Sequence, residues 1–133
     1  MKRVFSRTVL GLSGLVLFAI AGLVIFDPVS FFDSNDISLA PSPSLMSELK
    51  APAGLLLVSG VIVMSGVIVK RMIQTALALN ALVFGAYALG RLVSFLMDGQ
   101  PSDPLIHATA IELVIAVISL LLLIANRDQP LTI

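Results

Sequence analysis

The chain has 133 residues, 58% of them hydrophobic and 12% charged, with eight Lys plus Arg against eight Asp plus Glu and no cysteine. A water-soluble fold needs roughly a quarter of its residues charged to make a polar exterior, so this composition excludes one and points to a membrane protein. The balanced charge gives no electrostatic basis for nucleic-acid binding, and the lack of cysteine excludes disulfides, thiolate metal sites and cysteine nucleophiles.

The first long uncharged run covers residues 8–26. It is long enough to cross a ~30 Å hydrocarbon core as a helix at ~1.5 Å per residue. Met1 to Arg7, the apolar run and Ala19-Ile20-Ala21 together outline a secretory signal with a small-residue cleavage site. The run nevertheless continues through Leu23-Val24-Ile25-Phe26 to a full span, so an uncleaved first helix is expected.

Residues 27–50 form the longest polar connection, and Pro28, Pro41 and Pro43 oppose a continuous helix there. It is expected to be a solvated loop, with Phe31-Phe32 anchoring the end of the first span at the interface. It is too short to fold as a catalytic domain of its own.

The second span is expected over 51–69 and the third over 72–97, joined by a tight Lys70-Arg71 turn into an antiparallel hairpin. Gly11, Gly14, Ala21 and Gly22 on the first span, with Gly54 and Gly60 on the second, suit close helix approach. The echo Ser59-Gly60-Val61-Ile62-Val63 and Ser65-Gly66-Val67-Ile68-Val69 repeats every six residues. That step does not return to one helix face, so it is low complexity rather than a motif.

The fourth span is expected over 105–126. Together the runs define an all-α membrane protein, a four-transmembrane-helix antiparallel bundle forming a single domain. Continuous apolar runs exclude the period-two pattern of a membrane barrel. Lys2, Arg3, Arg7, Lys70, Arg71 and Arg127 fall on one side of this path. Asp27, Asp33, Asp36, Glu48, Asp98 and Asp103 fall on the other, with Lys50 as its sole basic residue. Basic residues favour the cytoplasm, so both termini are expected there.

Arg91 and Glu112 are ionisable groups inside the spans, each costing about 2.5–3.5 kcal/mol if unpaired near a helix centre. They lie at similar depths, about 9 and 10 Å from the outer ends of the third and fourth spans. An ion pair between these antiparallel neighbours is therefore expected. Asn80, Phe84, Tyr87, Arg91, Ser94 and Asp98 follow at three- or four-residue steps along the third span, and Thr109, Glu112, Ala116 and Ser119 along the fourth. Both stripes should face the bundle interior. Two readings follow. In one the pair only fixes register; in the other Arg91, Glu112 and Tyr87, with Glu48 or His107, line a pocket open to the extracytoplasmic side.

His107 stands alone, four residues after Asp103, and two ligands make no metal site. A single histidine also cannot supply both axial ligands of a haem. No hydrolase triad signature, H-E-x-x-H or glycine-rich phosphate loop occurs. No catalytic residue, metal or cofactor is expected.

The segment Gly90-Arg91-Leu92-Val93-Ser94-Phe95-Leu96-Met97-Asp98-Gly99, followed by Glu112-Leu113-Val114, resembles a bacterial four-helix family known as domain of unknown function 4345. The resemblance covers nearly the whole chain in hydropathy order. It implies that Arg91, Asp98 with Gly99, and Glu112 match recurring family positions, with Glu48 and Gly54 nearest to an acidic residue and glycine at the start of the second span. Lys50-Ala51-Pro52-Ala53 departs from the family's glycine-rich pattern there. The resemblance further implies an inner-membrane fold distantly like DoxX-type bundles, some of which are associated with quinone-linked oxidation.

The absence of catalytic residues and the large lipid-facing surface lead to the expectation of a non-enzymatic accessory or assembly subunit of a larger membrane complex in the bacterial inner membrane. The alternative is a lipid- or quinone-binding protein with an outer-leaflet pocket around Arg91 and Glu112. A channel or transporter would require polarity through the full membrane thickness, and the charges here gather in the outer half.

Overall fold

The computed structural model describes residues 2–126, which are mostly helical with no strand among them. Five α-helices follow in order: α1 Lys2–Phe26, α2 Pro28–Asp33, α3 Pro43–Ile68, α4 Ile73–Asp98 and α5 Asp103–Ala125. Four of them, α1, α3, α4 and α5, are long and apolar enough to cross a membrane.

The connection expected to be an open loop over 27–50 is mostly helical. Asp27 caps α2, its carboxylate accepting from the Ser30 N–H at 3.2 Å, and Pro28 takes the first helical position, where a missing N–H costs nothing. Ser42 and Pro43 repeat the device at α3, with the Ser42 hydroxyl accepting from the Leu45 N–H at 3.2 Å. Two of the three prolines thus start helices rather than break them. As a result α3 begins at residue 43 instead of 51 and carries Pro52 in its interior. Asp36 takes a positive φ of 61° where the chain leaves α2, and residues 37–42 run without helix.

Lys70–Met72 forms one 3-10 turn between α3 and α4. Gly99, with φ of 98°, ends α4 in a conformation that a side chain would oppose. Helix α1 packs chiefly on α3, α3 on α4 and α4 on α5, while lesser contacts from α1 to α4 and α5 complete the bundle. At the other end of the bundle from α2, Asn126 Nδ2 donates to Ser6 Oγ at 3.2 Å and Gln74 Nε2 donates to the Asn126 carbonyl at 2.9 Å. The starts of α1 and α4 and the end of α5 therefore lie together. Arg127, one of the basic residues of the orientation argument, lies outside the described residues.

The core joins Leu10, Leu17 and Ala21 of α1 with Leu56 and Val63 of α3 and Leu77 and Phe84 of α4. Large apolar side chains including Leu12, Leu55, Leu82, Val117 and Leu121 stand on the outside. Such a surface is untenable in water and suited to lipid. Of the glycines, Gly66 lies against the stiffest neighbours: a Cβ there would sit 2.6 Å from Ala76 Cβ and 2.8 Å from Leu10 Cδ1. Gly14 and Gly60 lie against Met64 and Phe18. Gly22 and Gly54, expected at close contacts, have nothing within 4 Å, so they do not bring helices together.

Candidate functional site

Two polar clusters lie inside the bundle. The inner one centres on Asn80 of α4, whose Nδ2 donates to Ser13 Oγ of α1 at 3.0 Å and to Ser119 Oγ of α5 at 2.8 Å. Ser13 Oγ in turn donates to the Val9 carbonyl at 2.8 Å. Asn80 Oδ1 is buried without a partner among the described residues. These contacts tie three helices together at one level. They have the character of interhelical glue, in which an amide in an apolar medium takes whatever hydroxyls its neighbours offer.

The outer cluster is the Arg91–Glu112 pair. Arg91 Nε donates to both carboxylate oxygens of Glu112, at 3.2 and 3.0 Å. Glu112 is buried, whereas the Arg91 side chain keeps 32% of its surface accessible. A single N–H shared between two oxygens differs from the fork-to-fork pairing of which a guanidinium is capable. It leaves the terminal Nη1 and Nη2 groups with no hydrogen bond to the described residues. The antiparallel α4–α5 hairpin produces this meeting. Counting inward from Asp98 and Asp103, Arg91 and Glu112 lie about 10 and 13 Å along their helices, and the charged head of arginine spans the remainder.

The pair forms one wall of a cavity of about 320 Å³. Leu17, Ile20 and Val24 of α1, Pro52, Ala53 and Leu56 of α3, Val83, Phe84 and Tyr87 of α4, and Leu105 and Ala108 of α5 supply most of the rest. Helix α2 and the turn after it close the outer end with Phe31, Phe32, Asn35 and Ile37. The two phenyl rings meet edge to face, with centroids 5.4 Å apart at 86°. Ser102 Oγ donates to the Asn35 carbonyl at 2.9 Å, fastening this cap to the start of α5. The space is largely apolar, with Tyr87, Arg91, Glu112 and Asn35 as its polar lining. That combination of apolar walls and a few convergent polar groups is the usual chemistry of a small-molecule site.

The sequence-derived candidates divide. Arg91, Glu112 and Tyr87 come together on the cavity. Ser94 and Asp98 do not reach it: Ser94 Oγ donates to Asp98 Oδ2 at 2.7 Å on the exposed outer end of α4. Glu48 and His107 are exposed and do not line the cavity. The reason is geometric. The first turns of α3 and the last turns of α4 extend past the bundle core, and His107 stands on the exposed side of α5, so these polar groups point away from the cavity. The stripe along α4 is thus interior from Asn80 to Phe84, lines the cavity at Tyr87 and Arg91, and becomes external beyond them. Sequence reasoning missed the cavity lining from Phe31, Phe32, Asn35 and Ile37. The aromatic pair was a signal of interfacial burial, but not of which surface it would cover.

The chain belongs to the family described as Domain of unknown function (DUF4345), whose model matches residues 5–123. No curated protein and no solved structure matches it.

Proposed function

We propose that this member of a family of unknown function is a non-enzymatic multi-pass membrane protein that binds a small amphiphile, a lipid or quinone, in the cavity beside Arg91 and Glu112. The observation that carries this reading is the placing of an ion pair, its carboxylate buried and its guanidinium partly open, on the wall of an otherwise apolar cavity of ligand size. A pair needed only for register has no use for a cavity beside it. Dense side chains around the charges would serve that role better, because each gap forfeits dispersion contacts. The setting we infer is the bacterial inner membrane, with the Lys70-Arg71 turn cytoplasmic and the cavity in the outer leaflet.

An accessory subunit of a larger complex is the second reading. It is supported by the apolar outer face of α5 beyond His107, on which Ile111, Val114, Val117, Leu121 and Ile124 are exposed. Lipid covers such a face equally well, so this support is weaker. Conduction is disfavoured. Buried Leu77 and Phe84 flank Asn80 along α4, and Phe84 separates it from the ion-pair level, so polarity does not run continuously through the bundle.

Gentle extraction from the native membrane followed by native mass spectrometry tests the proposal. The expected result is a lone bundle retaining one small molecule, lost in Ala108→Phe, which fills the cavity. A stoichiometric protein partner with no retained small molecule overturns it in favour of the accessory subunit.

A further inference from the structure

The charges and donors on the cavity wall are unequal in a way that specifies the ligand. Glu112 cancels the charge of Arg91, so an anionic head entering this apolar space gains little net attraction and loses its hydration. Hydrogen-bonding capacity is not cancelled. Arg91 spends only Nε on Glu112, and its Nη groups make no hydrogen bond to the described residues. Tyr87, which also lines the cavity, has no side-chain hydrogen bond among them either. A guanidinium is a donor without acceptor capacity, and a phenol donates readily. Beside the acceptor oxygens of Glu112 and Asn35, the wall therefore offers several uncommitted donors at zero net charge.

We infer that the cavity selects an uncharged ligand whose head carries carbonyl-type acceptors, held by the Nη groups of Arg91 and the phenol of Tyr87, with Glu112 setting the preference for zero charge. The inference rests on the ligand-binding reading above and narrows it to a chemistry. Ring carbonyls of a quinone and ester carbonyls of a lipid share that chemistry. The apolar body lies among Leu17, Ile20, Leu56 and Phe84, and the Phe31-Phe32 cap closes over it. Glu112 acts through Arg91: it holds the guanidinium by one edge and leaves the other edge to the ligand.

The test uses the full chain in phosphatidylcholine nanodiscs with three probes of equal alkyl length: a decyl-substituted benzoquinone, methyl decanoate and decanoate. Binding is read as the rise in thermal midpoint of the helical signal, since a ligand specific to the folded state raises it by mass action. At least one uncharged probe is expected to bind about tenfold or more tightly than decanoate, and which of the two does so assigns the quinone or the ester source. In Glu112→Gln, which leaves Arg91 uncompensated, decanoate is expected to overtake the uncharged probes. Preference for decanoate in the native chain overturns the inference while leaving a ligand site intact. An unaltered order of preference in a folded Glu112→Gln overturns the role of Glu112. Should that variant not fold, the comparison of methyl decanoate with decanoate on the native chain decides the charge preference by itself. Failure of all three probes, with the same midpoint in Ala108→Phe, removes the ligand-binding reading itself.

Discussion

Arg91 and Glu112 illustrate how a membrane interior changes the value of a single contact. Removing one partner leaves the other charged and without its counter-ion in a low-dielectric space, whereas removing both leaves only a space to fill. Arg91→Leu or Glu112→Leu alone is expected to destabilise the bundle by about 2–3 kcal/mol, below the value for a fully buried pair because Arg91 retains access to the cavity. The double variant Arg91→Leu/Glu112→Leu is expected to lie above either single one. Unfolding midpoints of the four proteins in one detergent check this, and additive losses would show that the pair contributes no coupling. Asn80 is a different case. Its two hydrogen bonds to serines join α4 to α1 and α5 while one amide oxygen stays unsatisfied. Interhelical hydrogen bonds in membranes average about 0.6 kcal/mol each, so Ser13→Ala is expected to cost about that and no more. A loss of several kcal/mol on the same measurement would mean that the Asn80 cluster is a cooperative unit rather than two separate bonds.

At the scale of elements, contact between α3 and its neighbours depends on one glycine and not on another in the same helix. A methyl group at Gly66 would meet Ala76 Cβ and Leu10 Cδ1 below any tolerable distance, and neither Ala76 nor the buried Leu10 has room to withdraw. Gly66→Ala is expected to cost about 1–3 kcal/mol through overpacking. Gly54→Ala meets open space in the same helix and is expected to be neutral or to gain up to about 1 kcal/mol from helix propensity. Thermal midpoints of the two variants side by side decide the matter; equal losses would mean that α3 is sensitive to any added methyl. The sequence distinguishes these glycines poorly, because a residue's neighbours across a helix interface depend on rotation about the helix axis, and apolar residues on every face of α3 leave that rotation unmarked. The spans themselves were legible because the hydrocarbon thickness demands long uncharged runs. The meeting of Arg91 with Glu112 was legible because a hairpin fixes relative depth. Helix α2 was not, since six residues show no helical period and its proline resembles a breaker until the Asp27 cap is seen. The early start of α3 was concealed in the same way by Pro43, Glu48, Lys50 and Pro52. The cavity was concealed most, because it arises where α2 folds across the ends of other helices, a relation that no spacing within one segment records.

For the whole molecule, the decisive question is which side of the membrane holds the cavity. The hydrogen bonds of Asn126 place the ends of α1 and α5 at one end of the bundle, and the cavity with its Phe31-Phe32 cap lies toward the other. Basic residues Lys2, Arg3, Arg7, Lys70 and Arg71 accompany the first end, while Asp27, Asp33, Asp36, Asp98 and Asp103 accompany the second. Translocating a cluster of basic residues is opposed, whereas acidic residues contribute little to orientation, so the first end is expected to remain cytoplasmic. The absence of native cysteine makes this directly measurable. Ser38→Cys, on the exposed chain between α2 and α3, and Arg71→Cys, in the exposed turn between α3 and α4, report the two ends. Arg71→Cys gives up one basic residue and leaves Lys70 with the three near the start of α1 to maintain the bias. In right-side-out vesicles an impermeant maleimide is expected to label Ser38→Cys at once and Arg71→Cys only after the membrane is opened. The reverse order would place the cavity in the cytoplasmic leaflet, where its ligand would be drawn from the other monolayer. Labelling of both sites from outside would mean that α3 does not cross the bilayer at all.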